Sequence, residues 1–293
     1  MKIRPVPCRG GGKPLSEAMT PPRPALNSAF ALTPARGVGG PLVFASPHSG
    51  RARPDDMRPR AGLSEASLCS AEDRGVDALI AGAPELGAPV LAAQISRTYV
   101  DLNRAPDALD PALIDGAPET LDPRVRAGYG VIPRLTGDGQ AIHDRRLTRH
   151  EAERRLETAH RPYHAALAEL MRATHAEHGR AVLIDWHSMP ARVGGVDVVL
   201  GDRHGTSCRT GLTRQVRALF EREGLSVALN HPYPGGWSTQ AWGRPNEGFE
   251  ALQIELNRAL YWDEAAGRPG IGMARLCGLI RRVTQGLIGQ DWR

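Results

Sequence analysis

Residues 181–190, AVLIDWHSMP, constrain the fold of this chain more than any other stretch. Four apolar residues run on without a polar break and end at Asp185, Trp186 and His187. That pattern predicts a short strand buried on both faces, as in the middle of a sheet covered by helices. Polar groups at the carboxyl end of such a strand open into the crevice where α/β sheets bind ligands, and a histidine there is placed to ligate a metal.

The pattern recurs along the chain. Residues 41–47, PLVFASP, are apolar and run straight into His48-Ser49-Gly50, so a strand, a histidine and a serine follow one another twice. Further strands are predicted at 89–95 (PVLAAQI), 196–200 (VDVVL), 226–229 and 251–256 (ALQIEL). Helices are expected between them. One runs from Glu72 to Leu86, with both acids at its positive end and Gly87 behind it. A long pattern to His178 opens with Thr148 and Glu151 spaced as a capping box. Gly179 closes it, and Pro162 predicts a kink or two helices. Residues 211–223 and 270–288 complete the set. Strands alternating with helices imply an α/β fold with a largely parallel, doubly covered sheet. The segments 105–122 and 230–246 are long loops, the second long enough to be functional. Residues 1–40, rich in Gly, Pro, Ala and Arg, are expected to be a flexible lead-in to a single catalytic domain over 41–293.

Composition narrows the partners. The 293 residues are 41% hydrophobic and 24% charged, a globular balance, and the net charge of +5 (37 basic minus 32 acidic) comes mostly from scattered arginine. No basic stripe is interleaved with aromatics, which argues against nucleic acid and fits a small anionic substrate. Cys8, Cys69, Cys208 and Cys277 are too far apart for a metal finger or a disulfide framework and read as thiols of a reducing compartment. No apolar run approaches the ~18 residues of a membrane span, and no apolar segment follows the basic N-terminus. No membrane association is expected, and the cytoplasm is the expected location.

Three strand ends therefore present His48, His187 and Glu255. Two neutral imidazoles and a carboxylate make a common catalytic zinc site. Such a reaction also needs a carboxylate to carry the proton. Asp73, Glu72 and Glu255 are the candidates for ligand and base. Glu255 stands out because an acid inside ALQIEL is costly to bury without a partner. Asn103-Arg104 offers a planar fork and an amide suited to a substrate carboxylate, or a surface ion pair with Asp101 or Asp107. Gly235-Gly236 and Arg244 could form a lid over the site. His143, His150, His160, His175, His178 and His204 fall in polar or exposed contexts and are set aside.

Taken together, PHSG at 47–50, Glu72-Asp73, SRTYVDLNR at 96–104, Tyr163-His164, DWHSMP at 185–190, Gly235-Gly236 and QIEL at 253–256 resemble the N-formylglutamate amidohydrolase family. Order and spacing match from about residue 41 to 264. That family is similar in turn to zinc carboxypeptidases and aspartoacylase-like deacylases. The resemblance implies a three-layer α/β/α fold with a mixed central sheet. It implies one zinc ion on His48, His187 and Asp73, with Glu72 the alternative acidic ligand, and Glu255 as general base. It further implies a carboxylate clamp of Arg104 and Asn103 helped by Arg97, and a small N-acyl amino acid as substrate. N-formyl-L-glutamate leads, cleaved to formate and glutamate, with a place in histidine degradation. Deacylation of other N-acyl amino acids, a carboxypeptidase-like activity, and a metal-free α/β binding protein are the competing readings. The chain departs from the carboxypeptidase-like relatives in carrying Arg51 where they have an acidic ligand, three residues after the first histidine.

Overall fold

Seven strands form one mixed sheet in the computed structural model, which describes residues 28–36, 39–193 and 195–290. They are β1 (Phe30–Thr33), β2 (Leu42–Ser46), β3 (Val90–Ala93), β4 (Ala181–Met189), β5 (Val198–Gly201), β6 (Val227–Leu229) and β7 (Phe249–Asn257), in the spatial order β1-β3-β2-β4-β7-β5-β6. The central strands β3, β2, β4 and β7 are mutually parallel. At one edge β1 runs antiparallel to β3. At the other, β5 reverses against β7 and carries β6 parallel to itself.

The helices are α1 (Glu65–Cys69), α2 (Val76–Leu79), α3 (Pro123–Arg126), α4 (Arg149–Arg155), α5 (Arg161–His178), α6 (Thr210–Arg222), α7 (Trp237–Trp242) and α8 (Met273–Ile288). Successive strand side chains point to opposite faces, so each apolar run feeds two cores. Leu42, Phe44, Val182, Ile184 and Trp186 pack with residues of α2, α6 and α8. Val43, Ala45 and Leu183 pack with Leu156, Tyr163, Leu167 and Met171 on the other face. The result is three layers, α/β/α, with every residue of β2, β3 and β4 buried. Among the described residues no helix is long and apolar enough to cross a membrane.

Several elements differ from their sequence reading. Residues 1–27 of the lead-in, with Cys8, lie outside the described residues, but Phe30–Thr33 is a strand that closes the open edge of β3. Four residues with only one half-buried side chain carry too little pattern to be recognised as a strand. The helix expected from Glu72 to Leu86 shrinks to α2. The Asp73 N–H bonds the His48 carbonyl at 2.9 Å, tying this segment to the end of β2, and Gly75 at φ +84° keeps it out of helical conformation. Glu72 and Asp73 therefore sit in a turn.

The Thr148–Glu151 capping box is present. Pro162, however, makes no break. It occupies the first turn of α5, where its missing N–H costs least, and a π-helical turn over Leu156–His160 joins α4 to α5. The loop 230–246 contains α7, and β4 and β7 each run to nine residues, longer than their apolar cores suggest.

Candidate active site

The polar residues at the ends of β2, β4 and β7 meet on one side of the sheet. Parallel pairing sets Asp185 beside Gln253 and His187 beside Glu255. Positions two apart share a face, so these four side chains leave the sheet together. His48 follows β2 by two residues, and its carbonyl holds the backbone of Asp73.

His48, Asp73 and His187 are buried, and each offers one ligand atom within 4.8 Å of the others. His187 Nδ1 lies 3.0 Å from Asp73 Oδ2 and His48 Nδ1 3.4 Å from it, with ring centroids 4.7 Å apart. The outward nitrogens are held by other carboxylates: His48 Nε2 by Asp101 Oδ1 at 2.7 Å, His187 Nε2 by Asp185 Oδ2 at 3.1 Å. A carboxylate accepts, so each Nε2 carries a proton, and each Nδ1 turns inward toward Asp73. His48 Nδ1 is buried and has no hydrogen-bond partner. Asp73 Oδ1 accepts from Arg258 at 3.1 Å and from Ser188 Oγ at 3.3 Å.

Burial alone would raise the Asp73 carboxyl, yet His187 and His48 hold it well below the carboxylate range. Burial likewise disfavours charge on His187, but Asp185, Asp73 and Glu255 hold it well above the usual histidine value. This pocket of stacked carboxylates favours a cation at its centre. Two imidazole nitrogens, one of them buried without a hydrogen-bond partner, and one carboxylate oxygen form a donor set that fits a divalent transition metal.

Glu72 is turned away from this cluster. Its carboxylate accepts from Arg53 at 2.6 Å, Arg74 at 2.8 Å and Ser96 Oγ at 2.6 Å. Arg51, three residues after His48, reaches Asp77 on the surface at 3.4 Å.

A cleft of about 380 Å³ opens over the cluster and is bordered by Glu255, Arg97, Asn103 and Arg104. Glu255 is buried and accepts from Gln253 Nε2 at 2.9 Å. Loss of solvent, reinforced by Asp73, pushes its carboxyl up to about 7 against the pull of His187, Arg97 and Arg258. Arg97 gives one nitrogen to Asp101 Oδ2 at 2.6 Å and another to the Ala71 carbonyl at 3.3 Å. Within the protein the Asn103 amide nitrogen donates to Asp185 Oδ2 at 3.2 Å and lies 3.0 Å from His187 Nε2, and its oxygen accepts from the Ser238 N–H at 2.8 Å. It holds Asp185, the carboxylate behind His187, and the start of α7. Arg104 differs from both. It donates to the Tyr129 and Asn103 carbonyls at 2.9 and 3.0 Å, and among the described residues no carboxylate lies within ion-pair distance of it.

The two glycines of the expected lid belong here and the arginine does not. A Cβ on Gly236 would sit 2.4 Å from Asn103 Nδ2, and Gly235 takes φ +133°, so the pair lets α7 close down on Asn103. Arg244 lies away from the cleft, over the rings of Trp242 and Phe249 and paired with Glu247 at 2.9 Å.

Sequence reasoning missed a second layer of residues. His160, set aside as exposed, is buried and donates through Nε2 to the Arg104 carbonyl at 2.9 Å. His164 does the same to the Leu102 carbonyl at 2.9 Å, and Arg155 to the Tyr99 carbonyl at 3.2 Å. Burial lowers both imidazoles, His164 to about 4, so they stand neutral and serve as donors to the loop that carries Asp101, Asn103 and Arg104. The signals of this in the sequence are the Tyr163-His164 pair, a motif without an assigned role, and the four-residue spacing of His160 and His164 on a helix.

A family model for N-formylglutamate amidohydrolases matches residues 40–262. An N-formylglutamate deformylase from Pseudomonas aeruginosa is 34% identical over 258 residues, covering 85% of this chain and 91% of that protein. Another from Pseudomonas putida is 31% identical over 234 residues, covering 76% and 82%. A crystal structure of the N-formylglutamate amidohydrolase from Ralstonia eutropha JMP134 superposes with a TM-score of 0.84 at 35% identity, covering 89% of this chain and 97% of that one.

Proposed function

The chain belongs to the N-formylglutamate amidohydrolase family, and on that premise we propose that it hydrolyses N-formyl-L-glutamate to formate and glutamate with one bound zinc ion. One observation supports the reading above all. An arginine with no carboxylate partner, Arg104, borders the same cleft as a two-imidazole, one-carboxylate donor set. The first suits an anionic substrate and the second a metal that acts on its amide.

His48, Asp73 and His187 would hold the ion, which when bound supplies Lewis acidity for the formyl carbonyl and lowers the pKa of water to about 7. The remaining chemistry falls to the chain itself. Glu255 takes a proton from the attacking water as its oxygen bonds to the formyl carbon. The same carboxyl then delivers that proton to the amide nitrogen as the C–N bond breaks, and the water's second proton passes from the nascent formic acid to the amine, so formate and the ammonium form of glutamate leave with the proton balance closed. Its raised affinity for protons suits a group that must both accept and return one near neutrality. Arg104 holds a substrate carboxylate bidentately, fixing the amide against the reacting groups. Asp101, Asp185 and Asn103 keep the imidazoles oriented, and Arg97 holds Asp101. Cys69, Cys208 and Cys277 are unpaired, which suits the reducing cytoplasm in which we place the protein.

The direct test is formate release from N-formyl-L-glutamate by purified protein. Activity is expected to disappear on chelation and to return with about one equivalent of zinc. Full activity in metal-free protein would overturn the metal mechanism, and no formate from the zinc-loaded protein would overturn the substrate.

The histidines beneath the loop give a further expectation. His164→Ala is expected to raise KM about tenfold while the protein keeps its metal, because a buried carbonyl loses its donor and the loop carrying Arg104 loosens. Unchanged steady-state kinetics in a folded variant would show that the loop holds its shape without that bond.

A further inference from the structure

Arg124 is the second cationic side chain at the cleft that has no carboxylate within ion-pair distance among the described residues. It borders the cleft from α3, the short turn that follows the 105–122 loop. Its backbone is held on both sides: its N–H donates to Asp122 Oδ1 at 2.8 Å, and its carbonyl accepts from the Tyr129 N–H at 2.9 Å. The carbonyl of the same Tyr129 accepts from Arg104 Nε, so one residue brackets the two arginines. Among the described residues, the guanidinium of Arg124 has neither an ion pair nor a hydrogen bond.

The other cations of the cleft are accounted for. Arg97 is paired with Asp101, and Arg258 with Asp73 and Glu264. That leaves Arg104 and Arg124 facing the same space. The two repel each other: Arg104 falls below the ordinary guanidinium value, chiefly through burial, with Arg97 and Arg124 adding to it and the more distant Asp101 and Asp122 opposing it. Like charges set together with no carboxylate in direct contact are stabilised by a ligand that carries two negative charges.

We propose that Arg124 binds the side-chain carboxylate of the substrate and so makes the enzyme selective for N-acyl dicarboxylic amino acids. The inference rests on the reaction proposed above. The α-carboxylate of an N-acyl amino acid is one carbon from the amide nitrogen, so it must lie close to the reacting groups. Arg104, largely buried beside Asn103, is in that place. The side-chain carboxylate of a glutamate extends further, toward the exposed Arg124. An N-acyl amino acid with an uncharged side chain would leave Arg124 unused.

The test compares N-formyl-L-glutamate with N-formyl-L-glutamine, which keeps the shape and loses the side-chain charge. In Arg124→Gln, kcat/KM for the glutamate compound is expected to fall about 10- to 100-fold, mostly through KM, while the glutamine compound changes by less than about threefold. Arg124→Lys should recover part of the loss. The residue is exposed, so thermal unfolding of both variants is expected to match the parent protein. Equal losses on the two substrates, or no loss on either, would overturn the assignment of Arg124 and leave the reaction standing. A parent enzyme that releases formate from neither compound overturns the reaction, and the inference with it.

Discussion

Glu255→Gln is expected to lower kcat by about 10²- to 10⁴-fold while the protein keeps its fold and its zinc. The substitution is nearly isosteric, and the amide oxygen can still accept from Gln253 Nε2 as the carboxylate does. His48, Asp73 and His187 keep their positions and their partners. What is lost is a group that can take a proton from water and return it to nitrogen. Because an uncharged amide is easier to bury than a carboxylate, the melting temperature should hold or rise. Formate release and metal content, measured on the same preparation, check the two halves of this expectation. Turnover near the parent rate would remove Glu255 from the mechanism. The pH profile adds a sign. The base works only when deprotonated, so kcat/KM falls as pH drops through its pKa. Burial raises that pKa from 4.5 to about 7 in the metal-free protein, and a bound cation pulls it back. The acid limb is therefore expected between those two values, and Glu255→Gln should erase it.

The adjacent acids give the second large effect. Asp73→Ala is expected to weaken zinc binding by more than about a hundredfold and to remove activity with it, since loss of a group that merely orients a ligand already costs 10- to 100-fold. Glu72→Gln, one residue away, is expected to keep both metal and turnover and to lose stability instead. Arg53 and Arg74 would be left facing an amide in place of a buried carboxylate. Metal analysis of the two folded variants separates them. Zinc lost from Glu72→Gln and retained in Asp73→Ala would reverse the assignment.

That pair also shows where the sequence stops being informative. The strands announced themselves because their apolar runs are fully buried, and His48, His187 and Glu255 were visible as polar residues at their ends. Which of two neighbouring acids faces the histidines was not visible, because it depends on a turn. Gly75 breaks the helical pattern, and Arg53, distant in sequence, draws Glu72 to the other side. Asp101 was equally hidden in its role, since nothing in a sequence tells which nitrogen of a histidine a distant carboxylate will hold. Asn103 was read as part of a clamp from the company it keeps, but its hold on Asp185 and on the start of α7 was not visible. Arg124, one of many scattered arginines just past the 105–122 loop, carried no signal of its own, although its short turn borders the cleft.

The π-helical turn at Leu156–His160 has a consequence for the phase of the whole helix. Arg155, His160 and His164 all reach carbonyls of one loop, at intervals of five and then four residues. In a regular helix of 3.6 residues per turn, a residue five further on lies about 140° round the axis, so Arg155 and His160 would look in different directions. The wide turn absorbs one residue and brings them back into line. Lengthening or shortening the helix there by a single position would rotate everything after it by about 100°, carrying both histidines off the loop while leaving the helix intact. Orientation of the clamp is in this sense a matter of counting, set by one surplus residue well outside the cleft.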